Sequence, residues 1–184
     1  YVLTEGEFGV EFSKADRLAL DMGVEAEDAL RLEAGLLFEL AHNLNNGHTF
    51  LPRRKLVEAT AALLSVSIEL LEQSLDELQR RGEVEREEVA GQDAVYLPQL
   101  YEAEVFIAQR MGEMSRAELL PPEGLDRLLA RIQRQEGIRY APQQLQAVEL
   151  AASRQVMLLT GGPGTGKTTA LVTMISLLET YGLK

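Results

Sequence analysis

Apolar residues along this chain recur mostly at spacings of three and four, the period of helices that bury one face. From Leu32 to Asn46 the positions Leu36, Leu37, Leu40, Ala41 and Leu44 follow that period, and Asn45-Asn46-Gly47 stops it. Upstream, Ser13 is placed to cap a helix bearing Ala15, Leu18 and Ala19, with Asp16 as the capping-box partner and Gly23 as the stop. Glu25 to Asp28 open a second helix, their carboxylates suited to its positive end. Downstream, Thr49-Phe50-Leu51-Pro52 reads as a short extended piece before a helix over Arg53 to Leu64. Another helix carries Ile68, Leu71, Leu75 and Leu78 and ends at Gly82. Val84 to Val89 and Ala94 to Leu97 then flank Gly91-Gln92-Asp93, a turn signal between two β-like stretches. Three helices followed by a two-stranded hairpin is the order of a winged helix.

The remaining chain predicts helices over about Leu100 to Met114 and Pro122 to Gln135, separated by Pro121-Pro122, with Gly137 to Tyr140 as a connector. A helix over Pro142 to Ala152 follows, with Pro142 in its first turn. Val156-Met157-Leu158-Leu159-Thr160 is an apolar run of the kind buried on both faces of a parallel sheet. The closing helix presents Leu171, Met174 and Leu178 on one side and ends at Gly182.

Charge narrows the reading. Eighteen Lys and Arg against 29 Asp and Glu leave a net charge of −11, which argues against an electrostatic grip on nucleic acid by the whole surface. Local contact would have to come from Arg53-Arg54-Lys55 or Arg80-Arg81, the compact basic clusters, each of which also suits a solvated helix end. His42 and His48 are too few for a metal site, and Tyr96 and Tyr101 read as core or interface residues. The chain has no cysteine, and no apolar run reaches the 18 or more residues of a membrane span. A cytoplasmic location is the default expectation.

The chemistry lies near the end of the sequence. Gly161-Gly162-Pro163-Gly164-Thr165-Gly166-Lys167-Thr168 matches the phosphate-loop pattern of four fixed positions in full. Its glycines let backbone N–H groups approach phosphate oxygens where a Cβ would obstruct. The following helix offers further N–H groups and a positive dipole end to the same anion. Lys167 supplies charge to the β- and γ-phosphates of ATP, and the Thr168 hydroxyl is placed to ligate Mg²⁺. These two are the expected catalytic residues.

The string continues to Thr169 and resembles motif I of the superfamily 1 helicases, while Gln144-x-x-Ala147-Val148 upstream resembles their Q motif. That resemblance implies that Gln144 reads the adenine edge, since a side-chain amide donates and accepts together. Gly9-Val10-x-Phe12-x-x-Ala15-Asp16, Gly47-His48-Thr49-Phe50-Leu51-Pro52 and Tyr96-Leu97-Pro98-x-x-Tyr101-x-x-Glu104 are similar to the N-terminal region of RecD-like DNA helicases. The resemblance covers the whole chain, though the phosphate loop is its specific part. It implies ATP-driven unwinding with 5′ to 3′ polarity, single-stranded DNA as partner, and a helix-hairpin-helix element. In that element Glu11 stands where a second glycine is usual, and a carboxylate there repels phosphate.

The expected architecture is a mainly α N-terminal domain followed by the start of an α/β, RecA-like ATPase domain. Its parts are a helix-hairpin-helix-like element (1–31), a winged-helix-like domain (32–98), a helical connector (99–137) and the ATPase start (138–184). The acidic motif and the arginines that the family uses at the γ-phosphate have no match in this sequence. Two other readings stay open: a remodelling or clamp-loading ATPase with a winged helix, and an interaction module that keeps a nucleotide site.

Overall fold

The computed structural model describes residues 11–182, and the chain divides into two units, Tyr1–Val105 and Phe106–Lys184. In the first, α1 (Phe12–Asp21) begins two residues earlier than the capping signal at Ser13 predicts. Burial decides this. Phe12 is drawn into the core and stacks on Phe38 at 4.5 Å, so Ser13 falls inside the first turn and Glu11 takes the cap position without a side-chain bond. Gly23 (φ +94°) follows the end of the helix as expected. Of the family-like string Gly9 to Asp16, residues 9 and 10 lie outside the described residues.

Glu25 to Asp28 do not start a helix of their own. Asp28 is the N-cap of α2 (Ala29–Leu44), its carboxylate accepting from the N–H groups of Leu30 (2.9 Å) and Arg31 (3.4 Å). The two helices expected here are therefore one. Its buried stripe is Leu32, Leu36 and Leu40, while Ala41 and Leu44 face outward. Gly35 lies on that stripe because a Cβ there would sit 2.7 Å from Leu64 Cδ1 and 3.1 Å from Thr60 Cγ2.

After β1 (Phe50–Pro52) come α3 (Arg53–Leu64), α4 (Ile68–Arg80), β2 (Glu85–Val89) and β3 (Gln92–Tyr96). The strands form one antiparallel sheet in the order β1-β3-β2, with Phe50 and Glu85 both opposite Tyr96. Three helices and a hairpin thus occur in the expected order. The hairpin turn is Ala90-Gly91, both at positive φ (51° and 76°), the conformation that matches strand twist in a two-residue loop. Asp93, expected in the turn, instead pairs with Glu88 in the ladder and accepts from Arg86. Leu36, Leu56, Leu71, Leu75, Leu78, Val84 and Val95 fill the core, each 1 % exposed or less.

Two of the family-like strings meet at one edge of this unit. The Phe50 and Tyr96 rings lie 5.2 Å apart, Tyr101 stands edge-on to Tyr96 at 5.5 Å, and Thr49 donates its hydroxyl to Glu104. Tyr96, 2 % exposed, is a core residue. His42 stacks on Phe38 at 5.4 Å, and among the described residues no group of His, Asp and Glu could hold a metal.

The helix α5 (Pro98–Arg116) runs past the division of the chain. The second unit contains α6 (Leu125–Glu136), α7 (Pro142–Ser153) and α8 (Lys167–Thr180). Leu125, Leu128, Leu129 and Ile132 of α6 join Val148, Ala152, Ala170, Met174 and Leu177 in its core. The helix expected as part of a connector is therefore integral to the unit that carries the glycine loop. Residues 156–160 form no ladder, and Leu158 is 88 % exposed. The described residues of this unit hold no second strand, so the apolar run has nothing to pair with beyond the single bridge Glu118–Arg154 next to it. For the same reason α8 buries Ala170, Thr173, Met174 and Leu177 against its helical neighbours, and leaves the predicted Leu171 half exposed.

Candidate phosphate-binding site

The glycine loop joins the extended segment 156–160 to the first residue of α8. Gly164 and Gly166 are at φ +75° and +78°, a region in which a side chain is strained. Gly166 is also the N-cap of α8, and the first bond of the helix runs from Ala170 N–H to Gly166 C=O (3.0 Å). The N–H groups of Lys167, Thr168 and Thr169 thus have no partner within the helix, and they stand at its positive end.

Lys167 reaches back over the loop. Its ammonium donates to the carbonyls of Gly161 and Gly162, both at 2.5 Å, and lies 3.4 Å from Thr165 Oγ1. Thr165 in turn donates to Gly162 C=O at 2.9 Å. Beside these groups is a hollow of about 360 Å³, lined by Ala141, Gln144, Leu159, Gly161, Thr165 and Lys167 among others. Gly162, Pro163 and Gly164 form the exposed outer turn.

Gln144 ties this loop to α7. Its Oε1 accepts from the N–H of Ala141, the residue before the helix, at 2.9 Å. Its amide nitrogen donates to Thr165 C=O (3.3 Å) and Gly166 C=O (3.4 Å). The contact is close enough that a Cβ on Gly166 would fall 2.0 Å from Gln144 Nε2. The last glycine of the motif thus serves for its dihedral, and a Cβ there would also push the Gln144 amide aside.

Thr168 and Thr169 are placed differently. Both line a neighbouring hollow with Ile138 and Val172, and Thr168 is exposed. The sequence reading also passed over Tyr140 as part of a connector. Its hydroxyl lies 2.6 Å from Thr173 Oγ1 in the interior, and its N–H donates to Gln133 Oε1 at 3.3 Å, joining α6, α7 and α8 behind the loop. An aromatic residue two positions before a helix-starting proline is the signal that could have marked it.

The predicted basic clusters are engaged by carboxylates. Arg53 donates to Glu72 (2.5 Å) and Asp76 (2.8 Å); burial opposes its charge, but these two bonds outweigh it and hold the guanidinium above its ordinary pKa. Arg54 pairs with Glu58 at 2.7 Å, Arg80 with Glu77, and Arg81 with Glu33 (2.7 Å) and Glu83 (2.9 Å). Lys55 has no such partner among the described residues.

A model of the ATP-dependent RecD2 DNA helicase HHH domain matches residues 1–50, and a model of an AAA domain matches residues 144–184. The first match runs through α2, past the boundary expected at residue 31. The second begins at Gln144 and takes in the glycine loop. The ATP-dependent RecD2 DNA helicase of Deinococcus radiodurans is 28 % identical along the full length of the chain, which spans 27 % of that relative. With one end matched by that helicase's own domain model and every residue aligned to the Deinococcus protein, the chain is similar to the RecD-like DNA helicases.

Proposed function

We propose that this chain is the N-terminal part of an ATP-dependent DNA helicase that moves 5′ to 3′ on single-stranded DNA in the cytoplasm. Residues 161–168 are its phosphate loop, and the first unit carries a winged helix. The observation that carries the reading is the convergence on one loop of Lys167 Nζ, Gln144 Nε2 and the open N-terminus of α8. A triphosphate in that hollow would replace the Gly161 and Gly162 carbonyls as the partner of Lys167, and would accept from the N–H groups of α8. The charged ammonium gains more from a phosphate anion than from two neutral carbonyls, so the exchange is favourable. Gln144 lines the same hollow, which supports the reading that its amide meets a purine edge. The described residues offer Mg²⁺ one ligand of the expected kind, Thr168, and no carboxylate cluster, so the metal's remaining ligands would be water, phosphate and residues elsewhere. When bound, the ion would neutralise charge developing on the γ-phosphate.

Lys167→Ala, made in the protein extended to the relative's length, tests this reading. ATP hydrolysis and unwinding should fall by at least a hundredfold, since a charge-assisted phosphate contact is lost in the transition state. The melting temperature should not change, because the ammonium serves no buried group. Near-normal turnover would remove Lys167 from the site. DNA-stimulated hydrolysis in the parent would separate a helicase from a remodelling ATPase and from an interaction module.

A further inference from the structure

Arg17, Arg116 and Arg139 stand singly without an acidic partner among the described residues, whereas three such arginines stand together on one helix of the second unit. Arg127, Arg131 and Arg134 stand at i, i+4 and i+7 on α6, so they share one face of the helix. All three are exposed, and none lies within ion-pairing distance of a carboxylate among the described residues. The contrast is with Arg53, Arg54, Arg80, Arg81, Arg86, Arg110 and Arg154, each of which is paired. Arg134 Nε donates to Ala130 C=O at 3.1 Å, which leaves the rest of its guanidinium to the solvent.

These side chains border a cleft of about 660 Å³ whose other walls include Leu128, Thr180 and Tyr181. Tyr181 is held in place by a bond from its hydroxyl to Glu123 C=O at 3.3 Å. Seven residues of helix spread the guanidinium groups over roughly 10 Å, at about 1.5 Å per residue. The cleft therefore offers a row of forked cations beside an aromatic ring and an apolar floor, on a chain of net charge −11. A simple solvated face would be expected to draw the abundant glutamates of the chain into i,i+4 pairs, as α3 does with Arg54 and Glu58.

We propose that the Arg127–Arg131–Arg134 face of α6 binds the phosphate backbone of single-stranded nucleic acid, with Tyr181 beside it as a surface for a base or sugar. Guanidinium forks match phosphate oxygens bidentately, and aromatic rings stack bases of any sequence. The contact is accordingly one of position and affinity, not of sequence. The proposal rests on the helicase reading for the identity of the polyanion.

The test is the anisotropy of a fluorescein-labelled oligothymidylate titrated with the 184-residue chain, from about 50 to 200 mM NaCl. Three phosphate contacts should give a log–log salt slope near −2, equivalent to a loss of roughly twentyfold over that range. Replacing all three arginines by Gln should flatten the slope and weaken binding at low salt more than tenfold. Replacing them by Lys should retain most of the affinity, and Arg110→Gln should change nothing. Circular dichroism of each variant reports whether the fold is intact.

Equal binding by the Gln variant overturns the proposal, as does failure of the unaltered chain to bind the oligonucleotide. Tighter binding of polyglutamate than of the oligonucleotide also overturns it, and assigns the face to an acidic protein segment. A fluorescent ATP analogue titrated into the parent protein keeps the two readings apart. Loss of the DNA arm with nucleotide binding present refutes the arginine face alone, whereas absence of nucleotide binding refutes the helicase reading.

Discussion

Arg31 and Asp16 meet side by side in the first unit, Nε 2.7 Å from Oδ1 and Nη2 2.8 Å from Oδ2. The same guanidinium donates to Ala26 C=O at 2.5 Å and to Leu64 C=O at 3.1 Å. One side chain thereby ties α1, the turn before α2 and the end of α3. Asp16 closes the first family-like string, so that string marks a structural joint.

Asp16→Asn should therefore destabilise the first unit by about 3–5 kcal/mol, the usual effect of leaving one member of a buried pair without its counter-charge. Urea unfolding followed by circular dichroism measures this. The double variant Asp16→Leu, Arg31→Met should lose much less than Asp16→Asn, since it removes both charges together. An Asp16→Asn protein with an unchanged midpoint would show that the pair contributes nothing.

The closeness of Gly166 and Gln144 gives a second expectation. Gly166→Ala should weaken binding of a fluorescent ATP analogue in the protein extended to the relative's length, because its φ of +78° strains a side chain and a Cβ 2.0 Å from Gln144 Nε2 would push that amide aside. Adding Gln144→Ala removes the clash and leaves only backbone strain, on the order of 1 kcal/mol, so binding should partly return. Gln144→Ala alone should weaken ATP by about tenfold and reduce the preference for ATP over GTP. If the double variant binds no better than Gly166→Ala, the contact is not what excludes a side chain.

Tyr96 sets a pH dependence. Its burial, and then the nearby Glu104 carboxylate with a smaller effect from Glu87, push its hydroxyl above the ordinary tyrosine value of 10.0. The stability this contributes is whole below pH 10, where the unfolded tyrosine is also neutral. It is lost as pH rises through the raised folded value, because the unfolded chain ionises first. The melting temperature of the first unit should fall as pH rises above the ordinary tyrosine value of 10.0, and should fall less in Tyr96→Phe. Identical profiles for the two proteins would remove Tyr96 as the cause.

Helices with strong apolar stripes were legible in the sequence because their signals are local, and the glycine string proposed as a phosphate loop is a signal of the same local kind. The stop at Gly23, the helix over Arg53–Leu64 and the hairpin all depend on residues within a turn or two of each other. What was illegible depends on distant groups. Ser13 fails as a cap because Phe12 packs on Phe38, and Glu25 is not helical because Asp28 already caps α2. The run Val156 to Thr160 has the composition of a strand, but a strand also requires a neighbour that composition does not supply. At the site, a sequence can suggest that Gln144 meets adenine, yet nothing in its spacing reveals that the amide rests on Thr165 and Gly166. Nor does a count of arginines distinguish Arg53, paired twice, from Arg127, paired with none.

The amide of Gln144 joins the start of α7 through its oxygen and the phosphate loop through its nitrogen. Anything that captures this amide, a purine edge included, must compete with the Thr165 and Gly166 carbonyls. On the proposed function, base recognition and phosphate grip would then be linked through a single equilibrium, and linkage of this kind is reciprocal. Whatever a bound phosphate does to the amide's availability, capture of the amide does in equal measure to the affinity for phosphate. Selectivity among nucleoside triphosphates and the strength with which the loop holds them could not, on this geometry, be tuned independently.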